Sequence, residues 1–127
     1  MSSSATPTMR AYWQEAVSEV PRTEPLRLSL AEALDRWSDL RGVEGNFFGL
    51  IDNQDRIIQF YFQSSIPDSV EDASHLGIVV LDIPVPEMQG SLSRLCNLRE
   101  ASRLIEQAFA VGANPDMFEG LVFARWS

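Results

Sequence analysis

Two capping boxes set the frame of this chain: Ser29 with Glu32, and Asn97 with Glu100. In each pair the first side chain accepts from a free backbone N–H of the opening turn, and the acidic side chain accepts from the cap's own N–H. Both boxes open an amphipathic run. Leu30, Ala33, Leu34, Trp37 and Leu40 fall on one stripe, and Leu98, Ala101, Leu104, Ile105, Ala108 and Phe109 on another. Gly42 and Gly112 stand where a left-handed C-terminal residue is wanted. Helices are therefore expected over Ser29–Arg41 and Leu98–Val111, and the intervening chain has to be layered against them.

That intervening chain has the period of strands. Phe47–Ile51 and Arg56–Gln63 flank Asp52-Asn53-Gln54-Asp55, which has turn chemistry, so a hairpin is expected. In its second arm Ile58, Phe60 and Phe62 point one way; Ile57, Gln59, Tyr61 and Gln63 point the other. The second face is mixed, neither wholly core nor wholly solvated. Leu76–Ile83 is apolar and β-branched enough for a central strand covered on both faces. Pro84-Val85-Pro86 lacks two donors and must leave the sheet or lie at its edge. Ser91–Cys96 and Leu121–Trp126 read as further strands, with Asn114-Pro115 opening a short helical turn between. Before the first box, Met9–Val20 has apolar residues at spacings of three and four, which predicts a short helix ended by Pro21. Residues 1–8 are Ser/Thr/Ala/Pro-rich and read as a disordered tail. The expected whole is a single α+β domain over residues 9–127. Its antiparallel sheet of four to five strands carries two main helices on one face, with Leu34, Trp37, Phe60, Val80, Leu104, Ile105 and Phe109 buried.

Charge and composition narrow the function. The chain has 18 acidic and 10 basic residues, all of the latter Arg, for a net charge of −8. Nucleic acid and anionic membrane surfaces need cationic contacts, so neither is an expected direct partner. A basic protein partner suits this charge, as does plain solubility. No apolar run is long enough to span a bilayer, and the N-terminus lacks the basic and apolar segments of a secretory signal. A cytoplasmic location is expected.

Catalytic and metal chemistry find little to work with. His75 is the single histidine and Cys96 the single cysteine. Asp72 lies three residues from His75, but no Ser-His-Asp or Cys-His arrangement is visible, and Cys96 reads as a small buried hydrophobe. No metal ligand set and no cofactor fingerprint is present: the glycines at 42, 45 and 49 precede a strand rather than a helix N-terminus, so they do not cradle phosphate. They read instead as a helix stop, a loop position and a strand position facing an aromatic ring. One unusual stretch remains. Between Ser64 and Gln89 there is no Arg or Lys, while Asp68, Glu71, Asp72, Asp82 and Glu87 are all acidic. Asp82 interrupts an apolar strand, so it must sit at the strand end, be hydrogen-bonded, or face a partner.

The segments Phe47–Asp52, Gln59–Phe62, Val80–Glu87 and Gly90-Ser91 together resemble a class of small bacterial proteins. These occur in polymorphic-toxin and interbacterial-competition loci, where many are immunity proteins. The resemblance spans roughly residues 28–112 and rests on the order of strands and helices. It implies a cognate toxin bound in trans and no enzymatic activity, and it carries over no functional residue. The expected function is a non-enzymatic protein-binding domain of immunity type, with Asp68, Glu71, Asp72, Asp82, Glu87 and Tyr61 as candidate partner-binding residues. A housekeeping interaction or homodimerisation module, or a small-molecule sensor, is the alternative.

Overall fold

The structure, a computed structural model, describes residues 7–15 and 18–126. In chain order the elements are β1 (Thr8–Glu15), β2 (Ser18–Val20), β3 (Leu26–Ser29), α1 (Leu30–Asp39), β4 (Phe47–Ile51) and β5 (Ile57–Phe62). They continue with β6 (Val79–Val85), β7 (Gly90–Cys96), α2 (Leu98–Val111) and β8 (Val122–Arg125). The strands form one antiparallel sheet in the order β2-β1-β4-β5-β6-β7-β8, and β3 pairs with the same edge of β1 that β2 uses further along.

Both helices form where the boxes place them. The Glu32 amide donates to Ser29 Oγ at 3.2 Å and the Glu100 amide to Asn97 Oδ1 at 2.7 Å, with both return bonds made. The helices touch each other and share one face of the sheet. Ala33, Trp37 and Leu40 from α1, and Ala101, Leu104, Ile105 and Ala108 from α2, close over Phe48, Leu50, Ile58, Phe60, Phe62, Val79, Leu81 and Ile83. Trp37 stacks on Phe62 at 5.4 Å between ring centroids. Burying one such indole removes roughly 200 Å² from water, about 5 kcal/mol of transfer free energy as an upper bound. The hairpin, the central strand and the last two strands all appear, and Gly112 ends α2 in a positive-φ conformation. Of the seven residues expected inside, Leu34 and Phe109 are only half-buried, because they stand at the margins of their stripes.

The sheet has eight strands among the described residues, not four or five, and the excess comes from the first 29 positions. Met9–Val20 is not a helix. Met9, Ala11, Trp13 and Glu15 alternate inward along β1, and Tyr12 is buried on the opposite face. Apolar groups on both faces of a strand give spacings of three and four as well as two, which imitates a helical stripe. Of the expected tail, residues 1–6 lie outside the described residues; Thr8 opens β1 and pairs with Ser29.

One local expectation also changes. Gly42 does not adopt the left-handed conformation: α1 ends on Leu40 in an extended conformation, and Gly42 lets the Ile66 side chain approach the backbone. Pro84, expected to leave the sheet or lie at its edge, does the latter within β6, opposite Ser91. The β5 pairing stops at Asp82, so β6 has a neighbour on one side only from Ile83 onward and tolerates a residue without an N–H.

Candidate functional site

Among the described residues the second face of the sheet carries no helix, and one row of side chains crosses it from edge to edge. The register aligns Tyr12 on β1, Gly49 on β4, Gln59 on β5, Asp82 on β6, Ser93 on β7 and Val122 on β8. Gly49 has no side chain, so the Tyr12 ring lies flat over β4, where a Cβ would otherwise stand. The Tyr12 hydroxyl thereby reaches β5 and donates to Gln59 Oε1 at 2.9 Å. Gln59 Nε2 in turn donates to Asp82 Oδ2 at 3.0 Å. Ser91 on β7 stands near enough to Asp82 to help hold its carboxyl pKa down, and Trp126 Nε1 donates to Ser91 Oγ at 3.0 Å. A hydrogen-bonded polar chain thus runs from β1 to β6, and a second polar pair, Ser91 with Trp126, stands beyond it.

Apolar groups flank that chain. Phe47, Tyr61, Val80 and Leu95 form the adjacent row, of which Val80 is buried and Leu95 is 53% exposed. Beside Tyr12 a depression of about 270 Å³ is lined by Trp13, Val20, Arg22, Phe47 and Gln59. Burial raises the Asp82 carboxyl above its ordinary value of 3.8, against the opposing effects of Gln59 and Ser91. Burial likewise lifts the Tyr12 hydroxyl to about 12, and burial with the nearby Asp82 charge raises Tyr61. None of the ion pairs among the described residues involves Asp82. A half-buried carboxylate is held at the middle of this face by neutral groups alone.

The six residues expected to bind a partner are divided among three places. Tyr61 and Asp82 share the helix-free face. Asp68, Glu71 and Asp72 are exposed in the loop between β5 and β6, where hydrogen bonds from Ser74 hold the Asp72 carboxyl below its usual range. Glu87 is exposed in the turn after β6, a strand length or about 20 Å away. Tyr12 and Gln59 were not anticipated as site residues. Gln59 interrupts an apolar strand as Asp82 does, and the β5–β6 register, which the sequence does not report, sets the two side by side.

The other chemistry-bearing groups are committed to the fold. Cys96 is buried opposite Val79, which pushes its thiol up to about 11 and keeps it out of reach of solvent. His75 is exposed in the β5–β6 loop. Asp52 is buried in the β4–β5 turn and accepts from the amides of Gln54, Arg56 and Ala113 and from Arg56 Nε, all at 2.9 Å. A depression of about 490 Å³ opens between that knot and the C-terminal end of α2. Glu15, also buried, ties β1 to the end of α1 by accepting from Arg36 and from the Arg41 amide.

These features define an α+β protein: an antiparallel sheet with both helices on one face and a polar row across the other. No known family matches the chain, and neither a curated protein nor a solved structure was found to be similar. No helix among the described residues is long and apolar enough to cross a membrane.

Proposed function

We propose that this chain is a non-enzymatic protein-binding domain of immunity type, which neutralises a basic toxin domain by stoichiometric binding to the helix-free face of its sheet. The observation that carries the reading is Asp82. Its carboxylate is half-buried, has only neutral polar neighbours beside it and has no ion-pair partner among the described residues, at a cost to the isolated fold. An Arg or Lys docked there would complete the pair in a site already partly desolvated, with Tyr61 beside it to receive the cation on its ring. The net charge of −8 speeds the encounter with a basic surface, and nuclease toxins are basic because they hold phosphate backbones.

The test is co-expression with the product of the gene beside its own, followed by measurement of growth protection and of a one-to-one complex. Asp82→Asn should weaken that complex on the order of 2–5 kcal/mol, mainly through faster dissociation. Neutralising the exposed Asp68, Glu71 and Asp72 should instead slow association and flatten its salt dependence. A complex indifferent to Asp82→Asn and Tyr61→Ala would remove the helix-free face from the reading.

A further inference from the structure

The sheet has two free edges, and they are built differently. At one end β1 is covered by two short pieces, β2 and β3, which carry Glu19 and Arg27 exposed. Short strands bearing charges are the usual means of keeping an edge from pairing with another chain. At the other end β8 has no neighbour but β7 among the described residues, with all four of its residues exposed. From Gly120 to Trp126 there is no Pro, Lys, Asp or Glu, and Arg125 is the single charge. The exposed large apolar residues concentrate here: Leu95 at 53%, Val122 at 67%, Phe123 at 39% and Trp126 at 49%, with Met88 at 56% and Met117 at 48% in the adjoining turns.

From this we infer that β8 is the contact between two copies of this chain, paired antiparallel about a twofold axis at Ala124. Antiparallel partners directly opposite each other point to the same face, so a twofold axis must set a residue opposite itself. With the smallest side chain of β8 at the axis, Val122 lies opposite the second copy's Trp126, and Phe123 opposite the second copy's Arg125. The first pair is β-branched on aromatic and the second is a cation against a ring, both favourable cross-strand pairs. The self-complementarity of Val-Phe-Ala-Arg-Trp is what favours a second copy over an unrelated strand. Charge agrees, because two chains of −8 meet at the one edge that carries no acidic residue. At roughly 200 Å² for a large side chain, the six exposed apolar residues offer roughly 600 Å², close to the about 800 Å² per partner of a standard interface before the β8 backbone is counted. The inference holds whether or not the helix-free face takes a basic partner.

Sedimentation over a concentration series reads it directly. The wild-type chain should reach twice its 14.2 kDa, and salt should promote this by screening the repulsion between copies. Ala124→Glu sets two carboxylates face to face across the axis, and Ala124→Lys two ammonium groups. Each variant alone should run at 14.2 kDa, while an equimolar mixture should recover the dimer. Ala124 is exposed, so both variants should keep the wild-type melting curve. Should either misfold, Val122→Glu, at a position 67% exposed, serves in its place by setting a carboxylate against the second copy's Trp126 ring. A wild-type chain that stays monomeric into the hundreds of micromolar, or a dimer that these variants leave intact, would overturn the inference.

Discussion

Gln59 donates to Asp82 at 3.0 Å across the β5–β6 pair while accepting from Tyr12 on its other side, so a single amide orients both of its neighbours. Because the groups that oppose it, Gln59 and Ser91, are neutral, burial dominates the ionisation of Asp82 and the carboxyl pKa is raised. The folded state therefore holds the proton more tightly than the unfolded one. Below the ordinary value of 3.8 both states are protonated and Asp82 costs nothing. As pH rises from 3.8 to the folded value the unfolded state ionises while the native state keeps its proton, so stability falls, and above the folded value the native state bears the full desolvation of the charge. Asp82→Asn keeps an acceptor for Gln59 and removes the charge. It should melt above the wild type at neutral pH, with the gain shrinking as pH falls toward 3.8. Melting curves of the two proteins across that range check this. If Asp82→Asn instead lowers stability at neutral pH, the charge is already compensated within the fold, contrary to its proposed role in binding.

Asp52 should behave in the opposite sense. Burial again opposes its ionisation, but the amides of Ala113, Arg56 and Gln54 and the Arg56 guanidinium outweigh it and lower the carboxyl pKa below 3.8. The stability it supplies is present above 3.8 and is lost as pH falls through the folded value. Asp52→Ala leaves the buried Ala113 N–H without its acceptor and releases the β4–β5 turn from the end of α2. The expected cost is about 3 kcal/mol near neutral pH, read from chemical denaturation, and it should decline in acid. An equal loss at every pH would assign the effect to packing instead of to the carboxylate.

How much of this was legible in the chain depended on whether a residue's partner was near in sequence. Ser29 and Glu32, like Asn97 and Glu100, are three apart, so both helix starts could be read directly. Ile58, Phe60 and Phe62 alternate within one strand, so the buried face of the hairpin could be read as well. β1 could not, because Met9, Ala11 and Trp13 face the helices while Tyr12 faces the opposite way onto Gly49, and nothing local reports a neighbour 37 positions away. Asp82 was correctly singled out as a polar interruption. Its companion Gln59 is hidden 23 positions upstream until the β5–β6 register is known. Asp68, Glu71, Asp72 and Glu87 show the converse: closeness in sequence did not make one patch, because β6 runs between them.

Gly49 and Tyr12 give the sharpest structural test. A Cβ at position 49 would collide with the Tyr12 ring at its Cζ, Cε1 and hydroxyl atoms. Tyr12 is 4% exposed, so the ring has no free volume to move into without leaving the face. Gly49→Ala should therefore destabilise the protein by about 1–3 kcal/mol, although alanine is otherwise at least as well tolerated in a strand. Displacing the ring also takes its hydroxyl from Gln59, which leaves the Gln59 carbonyl without that donor. Tyr12→Phe removes the same hydrogen bond and keeps the ring in place, so it separates the two contributions. Most of the Gly49→Ala loss should be absent from Tyr12→Phe and should be recovered in Gly49→Ala with Tyr12→Ser, where the ring is gone. Equilibrium denaturation of the single and double variants measures this coupling. Strictly additive losses would mean that the ring and the glycine backbone do not meet, and β1 would then have to be paired with β4 in another register.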